Sequence, residues 1–215
     1  SARTLLSTVD AATVTASFDV ATSVASVVTA SASTSNAGTT YVLTDTANTS
    51  TGGADNFTGG AGDDTFLANA AASLSNGDVV DGAAGNDLLS ARYSISAATT
   101  INSSITNVET VNVDLDDGDI TADHVMTFNT SGFTGLTNIV SMNADSTSGE
   151  EDVLSFTNIA TGVEAGITNG DANSSVTFGY KTTTGLTDTA TLNLKSALAD
   201  TVTIAGIETL TVNPV

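Results

Sequence analysis

The sequence predicts an all-β chain: a short parallel β-roll that continues into a β-solenoid of β-helix type, or into a β-sandwich of short strands. Three observations predict it. The residues that are not apolar are mostly Thr, Ser, Asn, Gly and Asp, and the apolar 40% is largely Ala and Val. Thr and Val suit a pleated, half-buried surface, whereas Gly, Asn and Asp suit tight turns. A Gly/Asp-rich nonapeptide recurs between residues 50 and 90, and a looser strand-and-corner repeat fills the rest of the chain.

In chain order, residues 1–48 form an Ala/Ser/Thr/Val-rich lead-in. Thr13 to Val20 alternates like a strand, Val24 to Val28 fits either period, and residues 1–38 as a whole read as β. Thr39 to Thr44, around Tyr41-Val42-Leu43, is a clearer strand. The start, Ser1-Ala2-Arg3, has neither an initiator Met nor the charged-then-apolar pattern of a leader, which fits a fragment or processed piece of a longer protein. No stretch approaches the roughly 18 apolar residues of a membrane span, so membrane insertion is not expected.

Residues 49–91 carry the strongest pattern. Asp55 and Asp64 stand nine residues apart, as do Phe57 and Phe66, Asp78 and Asp87, and Val80 and Leu89; the second pair of repeats lies 23 residues after the first. The stretch Gly59-Gly60-Ala61-Gly62-Asp63-Asp64-Thr65-Phe66-Leu67 matches every fixed position of G-G-x-G-x-D-x-U-x, where U is a large apolar residue. The other copies are degenerate: Gly52 and Gly53 sit late, and Asn76 and Ala83 each replace a glycine. In such a unit the Gly-rich turn brings backbone carbonyls close together, the sixth residue supplies a carboxylate, and a three-residue strand points its central side chain inward. Two units make one coil. The Asp55 turn is therefore expected to stack on the Asp78 turn, and the Asp64 turn on the Asp87 turn, over a thin core of Phe57, Phe66, Val80 and Leu89.

These repeats resemble the calcium-binding RTX (repeats-in-toxin) family. The resemblance implies Ca2+ held by Asp55, Asp64, Asp78 and Asp87 between stacked turns, with Gly53, Gly60, Gly62, Asp63, Asn76, Gly85 and Asn86 as turn neighbours. Without an ion, the same residues would be an acidic Gly-rich turn cluster.

Residues 92–215 read as a repetitive β-strand region continuous with the roll. Ile105 to Val113 matches Ile204 to Val212 in apolar character, and Thr-Asn-Val/Ile recurs at 106–108, 137–139 and 157–159. In each copy an Asn or Gly turn is expected to precede an apolar/polar alternation: in the first, Val108, Thr110 and Asn112 on one side and Glu109, Val111 and Val113 on the other. Internal repetition favours a solenoid over a sandwich. Such repeats after a short RTX array look like the surface-layer (S-layer) and large adhesin proteins of Gram-negative bacteria.

Charge narrows the function. Four Lys+Arg stand against 24 Asp+Glu, a formal net charge of −20, so no basic surface exists for nucleic acid. With no Cys and one His, zinc, iron–sulfur and Cys–His sites cannot be assembled. The carboxylates point to hard divalent cations, above all calcium. The run Asp114-Leu115-Asp116-Asp117-Gly118-Asp119 fails as an EF-hand, with Gly118 at the fifth position and Val125 at the twelfth. It reads as a solvated acidic loop or a secondary calcium loop through Asp114 and Asp116. The acidic stretch 145–152 has the same two readings, and His124 reads as surface or half-buried. No G-x-S-x-G turn occurs, and no enzyme activity is expected.

The expectation is thus a non-enzymatic, calcium-dependent structural module of a secreted surface-layer protein. It would fold and self-associate into a lattice on the bacterial cell surface, or contact cell-surface polysaccharide there. The resemblance implies type I secretion. The alternatives are a stalk segment of a calcium-stiffened adhesin, and the RTX part of a toxin or enzyme whose catalytic domain lies elsewhere.

Overall fold

The computed structural model of the chain describes residues 37–44, 54–69, 73–117, 123–144, 151–170, 173–181, 187–195 and 201–214. The strand readings within 1–36, the glycines Gly52 and Gly53, and the acidic residues 118–119 and 145–150 lie outside the described residues.

The first strands are β1 (Thr40–Val42), β2 (Asn56–Thr58), β3 (Thr65–Ala68), β4 (Val79–Asp81), β5 (Leu88–Ile95) and β6 (Thr99–Ile101). They are followed by β7 (Ser104–Thr106), β8 (Thr110–Asp117), β9 (Val125–Asn129), β10 (Phe133–Thr134), β11 (Asn138–Ala144) and β12 (Asp152–Ile159). The last are β13 (Glu164–Ile167), β14 (Ser174–Tyr180), β15 (Thr189–Leu194), β16 (Thr201–Ala205) and β17 (Thr209–Pro214). A 3-10 turn, Thr130–Gly132, separates β9 from β10. Among the described residues no helix is long and apolar enough to cross a membrane.

Among the described residues every strand pairing is parallel, which selects the solenoid over the sandwich. One sheet runs the length of the unit in the order β1-β3-β5-β8-β11-β13-β15-β17. A second sheet, β10-β7-β4-β2, covers the N-terminal coils, and a third, β16-β14-β12-β9-β6, covers the C-terminal ones. The two nonapeptide pairs stack as their spacing predicts: Phe57 opposes Val80, and Phe66 opposes Leu89. β5 crosses the 91/92 junction and pairs with β8 over its whole length, so the roll and the later repeat share a sheet.

The core consists of ladders in which each coil adds one rung. Along the first sheet the inward rungs are Phe66, Leu89, Val111, Ile139, Ala165 and Leu192, all buried. Along the third they are Ile101, Phe128, Phe156, Phe178 and Ile204. The Phe156 and Phe178 rings stack with centroids 5.2 Å apart, and Phe128 tilts against Phe156 at 6.0 Å. Burying one such ring contributes about 1.5–3 kcal/mol, so a narrow core of few aromatic residues holds the coils together.

Corners are turned by residues in the left-handed region. Asn107 (φ 50°) lies between β7 and β8, and Gly206 (φ 85°) between β16 and β17, which explains why 105–113 and 204–212 match. One reading is corrected here. Val108 does not face away from Val111 and Val113; the corner shifts the phase, and all three are buried. The turn before the second Thr-Asn-Val/Ile copy is a glycine rather than its own Asn. One coil after Asn107 the corner residue is Gly135 (φ 85°), fixed by the pairing of Phe133 with Ile105, whereas Asn138 begins a strand.

Candidate metal centre

The four repeat aspartates form two stacks, Asp55 with Asp78 and Asp64 with Asp87. Their carboxylates do not face each other; a backbone N–H stands between them. On one flank, Asp87 N–H donates to Glu109 Oε2 (2.7 Å), Asp64 N–H to Asp87 Oδ1 (2.7 Å) and Thr39 N–H to Asp64 Oδ1 (2.6 Å). On the other, Asp55 N–H donates to Asp78 Oδ1 (2.8 Å) and Thr44 N–H to Asp55 Oδ2 (2.7 Å). Each carboxylate thus caps the coil before it, which gives a structural reason for an Asp at the sixth position of every repeat.

The second carboxylate oxygen distinguishes the turns. Asp64 Oδ2 accepts from Gly60 N–H, and Asp78 Oδ2 accepts from Ser75 N–H (2.6 Å). Asp87 Oδ2 is buried and has no hydrogen-bond partner among the described residues. Asp87 is 1% exposed, and its carboxyl is pushed above the usual range, chiefly by burial and further by the negative charges of Glu109, Asp64 and Asp63. A carboxylate left so is the group a cation would satisfy.

The glycines explain how oxygens crowd here. A Cβ on Gly82 would collide with the carbonyl oxygen of Asn107 and with Asp87 Oδ2. One coil earlier, a Cβ on Gly59 would collide with the Gly82 carbonyl and with Asp64 Oδ2. Each glycine therefore admits a carboxylate oxygen and a neighbouring coil's carbonyl oxygen on one side of its Cα. Carboxylate and carbonyl oxygens are the donor set of a hard cation. In donor chemistry these turns fit calcium, most directly at Asp87. Among the described residues, however, no three His, Asp or Glu side chains close around a common point.

The other predicted neighbours have structural partners. Asp63 Oδ1 accepts from Asn86 N–H (2.8 Å), and Asn76 Oδ1 accepts from Asn102 N–H (2.7 Å). Gly85, at φ 150°, backs onto the Gly62 carbonyl. Gly53 lies outside the described residues. Asp114 and Asp116 lie on β8 beside Arg92 of β5, whose guanidinium reaches Asp116 at 2.6 Å and Asp114 at 3.6 Å. An internal cation therefore already stands beside the pair offered as a secondary site.

Sequence reasoning missed Glu109, the last link of the Asp64–Asp87 flank. The signal was its position 22 residues after Asp87, one coil length away. It also missed the same device downstream, where His124 N–H donates to Asp152 Oδ1 (2.8 Å), and its reverse beside it, where Glu151 N–H of the following coil donates to Asp123 Oδ1 (2.7 Å). His124 is buried there, not at the surface or half-buried, with its Nδ1 3.8 Å from Asp152 Oδ1.

Comparison with known proteins adds no relative: no family model matches the chain, and no curated protein or solved structure matches it significantly.

Proposed function

We propose that this chain is a non-enzymatic structural module of a secreted bacterial surface-layer protein, folded and rigidified by Ca2+ at the paired nonapeptide turns. The observation that carries the reading is the buried, unpartnered Oδ2 of Asp87, surrounded by negative charge and crowded with the Asn107 carbonyl onto one side of Gly82. Calcium would supply the missing positive charge. Asp87 and Asp64 would hold it with neighbouring carbonyl oxygens, and Asp55 and Asp78 would form the corresponding flank.

The charge of −20 supports the same reading. Self-repulsion opposes compaction where divalent cations are scarce, as inside a cell, and is relieved where they are abundant, as outside it. Ion binding then adds to folding free energy. Export by a type I system, assembly into a lattice and contact with cell-surface polysaccharide complete the proposal, on the resemblance of the repeats.

Calorimetric titration with calcium, together with circular dichroism melts in chelator and in calcium, tests it. Saturable binding and a higher melting temperature in calcium are expected. No binding heat and identical melts would refute the ion assignment. Electron microscopy of the chain after calcium addition tests the assembly claim, which fails if ordered arrays never form.

A further inference from the structure

Strand β13 carries a glycine that the fold does not require. Gly166 lies in mid-strand, paired in register with Val140 of β11 and Asn193 of β15. Its φ is not positive, and neither pairing contains a bulge. Gly179, the other glycine inside a described strand, stands at the register shift between β12 and β14, which accounts for it. A Cβ at Gly166 would come 3.3 and 3.5 Å from the Val140 methyls, contacts that a small movement of that valine relieves. The nearest backbone atom, the Asn193 carbonyl oxygen, would be an ordinary 3.7 Å away. Glycine weakens a strand, and where no bulge, bend or close backbone accounts for it, it marks the approach of a ligand.

The missing side chain opens a depression of about 140 Å³ on the outer face of the first sheet. The three strands that form it are interior to the sheet, with β8 and β17 beyond them. Half-buried Val140 and the Gly166 backbone line it, together with half-buried Asn138 and Asn193 and exposed Glu164 and Lys195. Asn193 Nδ2 donates to Glu164 Oε2 (2.9 Å), which holds the carboxylate in place and leaves Oε1 over. Lys195 is in no ion pair among the described residues. This lining narrows the ligand. Drug-sized ligands occupy sites of about 300–1,000 Å³, so the notch admits a single ring. One carboxylate is too few to hold a metal ion, and one ammonium on a chain of charge −20 is too few to draw a polyanion. A carboxylate, two amides and an ammonium both accept and donate around an apolar patch. A sugar has the matching surface, since each hydroxyl donates and accepts while the ring C–H groups are apolar.

We propose that the Gly166 notch binds one neutral pyranose unit of a polysaccharide, its C–H face on Val140 and Gly166 and its hydroxyls shared among Asn138, Glu164, Asn193 and Lys195. The inference rests on the polysaccharide contact in the function proposed above and gives that contact a site; the calcium turns play no part in it.

The experiment titrates the isotope-labelled full chain, in calcium, with methyl glycosides of glucose, mannose, galactose and N-acetylglucosamine, and reads amide NMR shifts. At least one should shift the Gly166 backbone and Asn193 side-chain amides saturably, with a dissociation constant on the order of 1 mM, as suits so small a ligand. An oligosaccharide of the same sugar should shift the same amides at no weaker affinity; binding of the monosaccharide alone overturns the proposal. Gly166→Val fills the notch and should abolish binding while melting no lower than wild type. Glu164→Gln keeps an oxygen for Asn193 and should weaken binding roughly tenfold, the loss of one charge-assisted hydrogen bond. It decides the matter if Gly166→Val fails to fold. No shift with any glycoside overturns the proposal, as does free glycine, a zwitterion, shifting the same amides as strongly. A sugar response that both variants leave unchanged also overturns it, by placing the sugar elsewhere, and leaves the polysaccharide contact standing. Calcium binding is measured separately, so failure of the notch and failure of the ion reading are told apart.

Discussion

Replacing Asp87 with Asn separates the structural role of this carboxylate from its proposed role as a ligand. In the folded chain Oδ1 accepts from Asp64 N–H, and an amide oxygen can still do so. The second atom changes from an unpartnered buried oxygen to an NH2 group, on the side where the Asn107 carbonyl lies. Leaving a buried polar group unsatisfied costs about 1–3 kcal/mol, more when it is charged. In chelator, Asp87→Asn should therefore raise stability by about 1–3 kcal/mol. For a chain of this size that is roughly 2–4 °C in melting temperature per kcal/mol. In calcium the effect reverses in kind. An ion at about 100 times its dissociation constant stabilises the wild type by about 2.7 kcal/mol, and the variant should lose most of that response. Paired thermal melts at neutral pH, in chelator and in calcium, measure both quantities. A variant less stable than wild type in chelator would show that the Asp87 charge is satisfied after all. An undiminished calcium response would remove Asp87 from the ligand set.

Four further outcomes are expected. Gly82→Ala places a Cβ on the Asn107 carbonyl and should cost about 3 kcal/mol or more, read as a lower denaturation midpoint. Phe156→Ala removes the central ring of the Phe128–Phe156–Phe178 ladder and should cost about 3–5 kcal/mol by the same measurement. Tyr180 donates its hydroxyl to the Val163 carbonyl, and burial pushes its ionisation up to about 12, against about 10 unfolded. Between those values the folded chain holds more protons than the unfolded one, so stability falls as pH rises; Tyr180→Phe should flatten that slope in alkaline melts. Arg92→Ala leaves Asp114 and Asp116 without their exposed guanidinium and should lower the denaturation midpoint only slightly, an effect that shrinks as salt is added.

Much of the architecture is legible in the sequence because a solenoid is periodic. The nine-residue spacing of Phe57/Phe66 and Val80/Leu89 and the 23-residue offset fix two coils and their inward residues. Legibility weakens where the period does. Coil length rises from 22 residues between Leu89 and Val111 to 28 between Val111 and Ile139, so the Thr-Asn-Ile copy at 137–139 resembles a corner without being one. Val108 was misplaced because simple alternation cannot foresee a left-handed Asn107 resetting the phase. The buried contact of His124 with Asp152 spans 28 residues and has no local signature.

The candidate site shows why the motif identifies the turn but does not by itself specify the ion. An aspartate at the sixth position is explained by the backbone N–H it caps, so its recurrence alone does not require a cation. What differs between turns is the second oxygen, and the difference traces to one pair of equivalent residues. At the intact repeat Gly60 N–H reaches Asp64 Oδ2. At the degenerate repeat the corresponding residue is Ala83, held at φ 66°, and its N–H donates to Asp81 Oδ1 (3.0 Å). Asp81 stands where the intact repeat has Thr58, so it supplies a charged, longer-reaching carboxylate acceptor where the first turn has only a hydroxyl. Drawing that amide away leaves Asp87 Oδ2 buried without a donor. The departure from the consensus, and not the perfect copy, thus creates the strongest demand for a positive charge. By this logic the degenerate turn is the one whose stability should depend most on calcium, and the intact turn at 59–64 the one most able to hold its shape without it.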